Sequence, residues 1–570
     1  MPLPTFPEEF NLADYYLFDR LAEGRGGRVA LRFGDHAFTY DEVAQRAAAV
    51  AGFLRHTGLA RGARVLLVLR DVPAFAWVFF GALRAGAVVA LANPDAPPES
   101  FDYLVRYVGP QFVFAPPRLA SAFVPFFDER REGGLDQRPA GPLELVLVDE
   151  PATGEDPRGR AEEREDAWEL EGIVRDLLTA SGETVLEQGR ARTHRDEPAI
   201  WLFTSGSTGR PKAAMHAHRD FAFNTEVFAK RTMGLREDDV CVSVPRLFFG
   251  YATGTNLMFP FAVGASVGLF AERPTPESLL DAIARYRPTV LTQVPTMMGK
   301  ILEHDESRRA RGEPGVDLTS LRFSYSAGEA LPGPLLTRWR ERFDSEVYDG
   351  IGSAEMFHIY ASNRPGDVRV GSLGRAVEGY ELRLLAEEAE GPGAPPLPPG
   401  EIGVLWVKGH STAFGYWLDR DKSHATFFGA WCRTGDLFHA DAEGYLYYDG
   451  RADELLKVSG QFLAPAELEA CLLEHEAVAE VAVVGADDAG LVKPKALVVV
   501  KETHAPRLAS PEGRAELRRE LQTLARSRIA PHKYPRFVVF AAELPKNDRG
   551  KIDRKTLRER EARGENPPEN

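Results

Sequence analysis

Short apolar runs alternating with helical stretches restrict the fold of this chain more than any other feature. Residues 64–69 (RVLLVL) form one such run, 73–85 read as a helix, and 87–91 (AVVAL) form the next run. Strand, helix and strand at this spacing predict parallel βαβ units. Upstream, Thr39 and Glu42 make a capping box, with Val43, Ala47, Val50 and Leu54 on one helical face and a stop at Gly58. The alternation resumes with strand candidates at 241–244, 266–270, 290–293 and 323–326 and runs to residue 385. A glycine- and proline-rich stretch, 391–400, reads as an exposed turn before a more β-rich part with strands at 403–408 and 445–448.

With 570 residues the chain exceeds the roughly 250 to 300 that one hydrophobic core can serve, so more than one domain is expected. The texture changes after Arg451. Pro465 opens a helix with Leu468, Cys471 and Leu472 on one face. Strands follow at 478–484 and 496–500, then a helix with Leu517, Leu521 and Leu524, then a strand at 537–540. Roughly 120 residues suffice for a small α/β domain. The fold class is therefore α/β, with domains at 1–452 and 453–570 and a boundary at Asp453. Residues 128–140 and 150–171, charged and glycine-rich around a short strand at 145–148, read as a surface insertion that carries no chemistry.

A hydrophobic share of 44% and a charged share of 27% are those of ordinary globular protein, and a formal net charge of −15 argues against a nucleic-acid partner. Anionic substrates must then be met by local cations. Cys241, Cys432 and Cys471 are far apart without metal-ligand spacing, so neither a disulfide framework nor a zinc site is expected. The start, MPLPTFPEEFNLADYY, has no basic or apolar leader segment, and no apolar run approaches about 18 residues. A reducing, cytoplasmic setting without a membrane span is expected.

LFTSGSTGRPKAAM, at 202–215, has the composition of a phosphate-binding loop, and the apolar run 199–203 empties into it as a strand. Gly206 and Gly209 keep Cβ atoms out of the path of a bulky anion. Thr204, Ser205, Ser207 and Thr208 supply donors that reorient, and Lys212 adds a compact positive charge. The GxxxxGK[ST] pattern does not fit, because Pro211 stands where its second glycine belongs and Ala213 follows the lysine. The segment after the loop reads as helix-forming.

Four further stretches bear on chemistry. SAGEA, 326–330, ends a strand in small residues, which suits close approach of a flat ring, beside the plainer reading of an ordinary strand-to-helix turn. DGIGSAE, 349–355, fails GxGxxG because Glu355 takes the last glycine's place. It reads as a nucleotide-lining loop with a Mg²⁺ carboxylate, beside the plainer reading of Glu355 as surface charge. WCRTGD (431–436) and GRADELLK (450–457) follow hairpin-like segments, so that Asp436 could accept from ribose hydroxyls and Arg451 donate to the same sugar or a phosphate. PKNDRGK, 545–551, is a turn that ends in Lys551. A GxSxG match at 264–268 is no nucleophile elbow, since an apolar strand rather than a helix follows Ser266.

In this order the motifs resemble the adenylate-forming superfamily of acyl-CoA synthetases, peptide-synthetase adenylation domains and luciferases, from GALRAGAVVALANP at 81–94 to Lys551. The resemblance implies a large N-terminal domain of stacked mixed sheets with helices and a β-barrel-like subdomain. It also implies a small mobile C-terminal lid with a hinge at Asp453. ATP and a carboxylate would give an acyl-adenylate and pyrophosphate, and a thiol, usually of coenzyme A, would displace AMP. By motif, Thr204, Ser205, Gly206, Ser207, Thr208, Gly209 and Lys212 would hold the β,γ-phosphates. Glu329, Ala330, Asp349, Gly350, Ile351 and Ser353 would line the nucleotide, Glu355 would bind Mg²⁺, and Asp436 and Arg451 would hold ribose. Lys551 would bridge the carboxylate and α-phosphate, while Lys457, Ser459 and Gly460 would build the thiol tunnel. The context of Lys551 also resembles that of lysines acetylated in bacterial synthetases. One departure stands out: the superfamily usually carries a threonine before the Mg²⁺ glutamate, where this chain has Ala354. A hydroxyl toward the α-phosphate is then missing, with Ser353 or a water as substitutes.

PEEFNLADYYLFDR (7–20), VPRLFFGYATGTNLMFPFAVGA (244–265), DGIGSAEMFHIYASN (349–363), LKVSGQFLAP ending at Pro465, and KYPR (533–536) resemble benzoate-CoA ligases and other aryl-CoA ligases. On that likeness Phe248, Phe249, Tyr251, Ala327, Gly328, Ile351, Gly352 and His358 make a flat apolar slot for an aromatic ring, whereas the residues alone read as core. The implied substrates are a small aromatic carboxylic acid, ATP and coenzyme A, in aromatic-acid breakdown. Neither nucleic acid nor membrane is an implied partner, and a homodimer is the assembly to test. Two other readings stay open: loading of a carrier protein's pantetheine, and a non-catalytic acyl-adenylate binder, which Ala354 motivates.

Overall fold

A computed structural model describes residues 2–131, 143–151, 168–205, 210–329, 331–458, 461–488, 491–530, 533–546 and 552–565. They pack as two compact units, residues 1–382 with 407–433, and residues 383–406 with 434–570. Their bounds differ from the expected 1–452 and 453–570, in that residues 383–406 and 434–452 pack with the second unit.

Among the described residues the first unit contains two large sheets. In the first, Trp168–Glu169, Glu144–Leu147, Phe112–Ala115, Arg64–Leu67, Val88–Leu91 and Pro198–Ser205 run parallel, and Pro211–Ala217 closes the edge antiparallel. The second has a parallel centre of Val347–Gly352, Phe323–Ser326, Val290–Gln293, Val240–Ser243, Ser266–Leu269 and Val29–Phe33. Antiparallel strands flank it on both sides. Inner strands of the first sheet such as Val88–Leu91 and Phe112–Ala115 are buried on both faces, which is why they read as unbroken apolar runs.

Thr39 caps helix Tyr40–His56 through the expected capping box with Glu42. That helix lies so close to helix Pro73–Arg84 that a Cβ on Gly81 would stand 2.7 Å from the Ala47 carbonyl oxygen, which explains the glycine. Ser266 opens a strand and gives its hydroxyl to the Val29 carbonyl at 2.7 Å, in keeping with its exclusion as a nucleophile. All three cysteines are buried free thiols. Among the described residues no helix is long and apolar enough to cross a membrane.

The insertion reading needs a correction at its end. Residues 132–142 and 152–167 lie outside the described residues, but Trp168–Glu169 joins the sheet beside Glu144–Leu147 and leads into helix Leu170–Ser181. Leu170 and Val174 are buried there, a sparse apolar face that the surrounding charges hid.

In the second unit Val478–Asp488, Leu491–Val500 and Phe537–Phe540 form one sheet. Val481, Val483, Ala496 and Val498 meet Leu468, Leu472, Leu517 and Leu521 from helices Pro465–Leu473 and Pro511–Arg528. Ala482, Val484 and Leu497 cluster instead with Leu557 of helix Arg554–Ala562. Strand alternation thus places helices on both faces.

Candidate active site

The loop at 206–209 joins two strands, not a strand and a helix. Pro198–Ser205 and Pro211–Ala217 pair antiparallel, with Thr204 opposite Lys212 and Ser205 opposite Pro211. Gly206, Ser207, Thr208 and Gly209 themselves lie outside the described residues. PKAAMHA reads as helix-forming because of its alanines, yet its backbone is claimed on both edges. Met215 N–H donates to the Gly415 carbonyl at 3.0 Å, Phe414 N–H to the Met215 carbonyl at 2.9 Å, and Trp417 N–H to the Ala213 carbonyl at 3.0 Å. Tyr103 on helix Pro98–Val108 donates its hydroxyl to the Pro211 carbonyl at 2.8 Å. The hairpin that presents the loop is therefore braced from three directions.

Lys212 is only 13% exposed and forms a 3.0 Å ion pair with Asp419, a residue that sequence reasoning missed. Asp419 also caps helix Arg420–Thr426 by accepting from Lys422 N–H at 3.1 Å. Burial pushes the Asp419 carboxyl up, but Lys212 and this cap outweigh it and hold the group below its ordinary range.

Glu355 sits in a one-turn 3₁₀ helix, 354–356, after strand Val347–Gly352. Its Oε1 accepts from the Tyr416 hydroxyl at 2.7 Å, and its carbonyl from Ala413 N–H at 2.9 Å. Burial first, and then the charge of Glu355, push the Tyr416 phenol well above its usual range, so Tyr416 remains a donor. The turn closes through Phe357 at φ +69°, a left-handed conformation costing about 1 to 3 kcal/mol for a bulky residue. The Phe357 ring packs 4.3 Å from that of Phe221, which holds it there. Beside Ala354, the Ser353 hydroxyl is buried without a partner among the described residues.

Three residues past Glu355, His358 enters a nest of rings. Its ring centroid lies 4.7 Å from Phe259, 5.5 Å from Tyr251 and 5.7 Å from Phe228. Nε2 donates to the Tyr251 carbonyl at 3.0 Å, and burial pulls the imidazole down to about 4, so the ring is neutral with a free lone pair on Nδ1. Gly254 makes room: a Cβ there would stand 2.5 Å from His358 Cδ2. The Tyr251 hydroxyl is likewise buried without a partner among the described residues. Phe248 and Phe249, 4.3 Å apart, are half-buried rather than core. Buried Asp71 fixes their loop by accepting from Leu247 N–H at 2.9 Å.

Ser326 and Asp349 are in register on neighbouring strands, ahead of Ala327 and Gly328 on one side and of Gly350, Ile351 and Gly352 on the other. Glu329 accepts from Thr296 N–H at 3.2 Å and from its hydroxyl at 2.8 Å, tying the small-residue turn to helix Pro295–Ala310; Thr296 too had no sequence signal. Ala330 lies outside the described residues. Burial pushes Asp349 up to about 8, against the pull of Ser326 and the backbone N–H groups of Gly350 and Leu331.

The native state thus keeps a proton on Asp349 that the unfolded chain, with a carboxyl near about 3.9, gives up. Its stabilisation is full below the unfolded value and is lost as pH rises toward the folded one, by at most about 1.4 kcal/mol per pH unit. Asp349→Asn should remove that component. Urea melts from pH 5 to 8 should show the variant gaining on the wild type as pH rises, and parallel profiles would refute a protonated Asp349.

In the second unit, Asp436 and Arg451 face each other across a hairpin, joined at 2.9 Å. Lys457 is described in its backbone alone, opposite Phe462, and Ser459, Gly460 and Lys551 lie outside the described residues.

Known proteins match this arrangement throughout. The family model for AMP-binding enzymes covers residues 18–417, and that for the AMP-binding enzyme C-terminal domain covers 467–551. A benzoate-CoA ligase of Thauera aromatica is 38% identical over 98% of this chain and 97% of its own. The crystal structure of an anthranilate CoA ligase in complex with anthranoyl-AMP superposes with a TM-score of 0.85 at 33% identity, covering 98% of both chains. A benzoate CoA ligase from Burkholderia xenovorans LB400 gives 0.79 at 35% identity, over 96% of this chain and all (100%) of the other. Matches of this extent, over both parts of the chain and with the motif set in order, mean that the protein belongs to the AMP-binding enzymes, the adenylate-forming superfamily.

Proposed function

We propose that this chain is an AMP-forming ligase that activates benzoate or a substituted benzoate as its acyl-adenylate and transfers the aroyl group to coenzyme A. The observation that carries this reading is the turn at 352–358. It presents Glu355 toward Tyr416 beside the phosphate hairpin and, three residues on, His358 among rings. A carboxylate suited to a phosphate-bound cation is thus fixed next to an aromatic slot.

Magnesium fits the donors present. Held largely by substrate phosphates, it needs only one or two carboxylates. Glu355 uses Oε1 toward Tyr416, and among the described residues no cluster of three or more His, Cys, Asp or Glu side chains competes. Bound there, the ion would neutralise charge developing on the phosphates. Thr204, the loop and Lys212 hold the β,γ-phosphates; Asp349 to Ile351 and Glu329 line the base; Asp436 and Arg451 hold ribose. His358, Tyr251, Phe248 and Phe249 stack and enclose the ring. Lys551 serves adenylation and Lys457, Ser459 and Gly460 thioester formation, with Asp453 as the pivot between domains 1–452 and 453–570. The same reading carries a cytoplasmic enzyme acting on small molecules, with homodimerisation to be tested by light scattering.

The test is AMP and thioester formation with Mg-ATP, CoA and a panel of benzoate, 2-aminobenzoate, 4-hydroxybenzoate, halobenzoates, phenylacetate, cinnamate and fatty acids. Benzoates should lead by kcat/KM. Preference for phenylacetate or a fatty acid would remove the slot, and no acid-dependent AMP release would leave a binding protein. Adenylate made without CoA turnover would instead indicate a carrier-protein acceptor.

A further inference from the structure

We infer that His216, oriented by Asp220, is a positioning residue for adenylation: it sets the Glu355 carboxylate by donating a hydrogen bond to the Ala354 carbonyl. His216 Nε2 lies 2.6 Å from that oxygen. A carbonyl only accepts, so Nε2 carries the proton. A second proton lies between Nδ1 and Asp220 Oδ2, which are 3.2 Å apart, and the same oxygen accepts from Ala217 N–H at 2.9 Å, which fixes the carboxyl group independently of the ring. His216 is 0% and Asp220 4% exposed, so water does not compete for any of these bonds.

The placement gives the chain of bonds its consequence. His216 lies near the end of the strand that forms the phosphate hairpin, and Asp220 in the first turn of helix His218–Asn224 that follows. Ala354 opens the 3₁₀ turn bearing Glu355, with the strained Phe357 at its far end. Ala354 has no side-chain donor or acceptor of its own. The hairpin strand therefore fixes the turn from the N-terminal side through His216, and Ala413 and Tyr416 fix it at Glu355 itself. A carboxylate that orients an imidazole, which in turn orients a ligand-bearing segment, is the logic of an outer coordination shell; loss of such a partner typically costs about 10- to 100-fold.

This inference rests on the reading of Glu355 given above, and the test separates the two. Aroyl-adenylate formation by the full-length protein is followed by ATP–pyrophosphate exchange while Mg²⁺ is titrated at fixed ATP. His216→Leu should lower kcat about 10- to 100-fold, raise the Mg²⁺ needed for half-maximal rate, and leave KM for benzoate nearly unchanged. His216→Gln, whose amide N–H can reach the same carbonyl, should recover most of the rate. Asp220→Asn should behave like His216→Leu, because the amide oxygen held by Ala217 N–H cannot keep the proton that the carboxyl group shares with Nδ1; the ring's single proton then moves to Nδ1 and a lone pair of Nε2 faces the carbonyl. In a Glu355→Gln background the His216→Leu change should add no further loss. Independent, multiplying losses, or a Gln variant no better than Leu, would overturn the proposal. Should His216→Leu not fold, the contrast between His216→Gln and Asp220→Asn decides. A Glu355→Gln enzyme at wild-type rate would overturn the reading of Glu355 itself.

Discussion

Glu355→Gln should lower aroyl-adenylate formation by about 10² to 10³, equivalent to about 2.7 to 4 kcal/mol of transition-state stabilisation. The substitution is nearly isosteric. An amide oxygen can still accept from Tyr416, now 2.7 Å from Oε1, and the backbone bond from Ala413 is untouched. Thermal stability should therefore stay close to the wild type. What disappears is one negative charge beside the triphosphate, and with it the anchor for the cation that offsets charge growing on the phosphoryl oxygens. The loss should lie in kcat more than in KM for the acid, because the aromatic slot is built from different side chains. Pyrophosphate exchange with benzoate, run at saturating ATP and increasing Mg²⁺, measures it. A rate within about threefold of the wild type would show Glu355 to be the surface charge of the plainer reading.

The architecture was legible where one kind of pattern dominates. Strands such as Val88–Leu91 and Phe112–Ala115 are buried on both faces, so four successive apolar residues announce them. The helix after Thr39 was legible because its cap is local, a serine-like hydroxyl and a carboxylate three residues apart. Pro211–Ala217 was not, since its strand character comes from partners at 198–205 and 414–417 rather than from its own alanines. The site divides in the same way. Lys212, Glu355 and His358 lie within recognisable stretches. Residues that hold the site together, Asp419, Tyr416, Asp220 and Thr296, are ordinary in their local sequence and acquire their roles only when the chain brings them within 3.2 Å of Lys212, Glu355, His216 and Glu329 in turn. Phe357 is a further case, since nothing in MFHI marks a left-handed backbone.

Lys551→Ala should reduce adenylate formation by about 10² to 10⁴ yet lower thiolysis of supplied benzoyl-adenylate by less than about tenfold. The first half-reaction brings two anions together, the carboxylate and the α-phosphate, and builds charge on the phosphoryl oxygens. A positioned ammonium answers both difficulties; the second half-reaction begins from an uncharged mixed-anhydride carbonyl and has no such need. The described residues on either side of 547–551 are well held. Lys546 and Ile552 bridge antiparallel around 547–551, and Asp553 N–H donates to the Pro545 carbonyl at 2.7 Å. Asp553 then caps helix Arg554–Ala562. Arg554 clasps Glu469 with two bonds of 2.6 Å and lies 3.4 Å from Glu454, one residue from the proposed pivot Asp453. Removing the Lys551 side chain leaves all of these bonds in place, so a folding defect should not cloud the result. Pyrophosphate exchange reports the first half-reaction, and CoA-dependent thioester formation from synthetic benzoyl-adenylate reports the second. Equal losses in both would mean that Lys551 serves the nucleotide site as a whole, and the division of labour between the two half-reactions would have to be sought in other side chains.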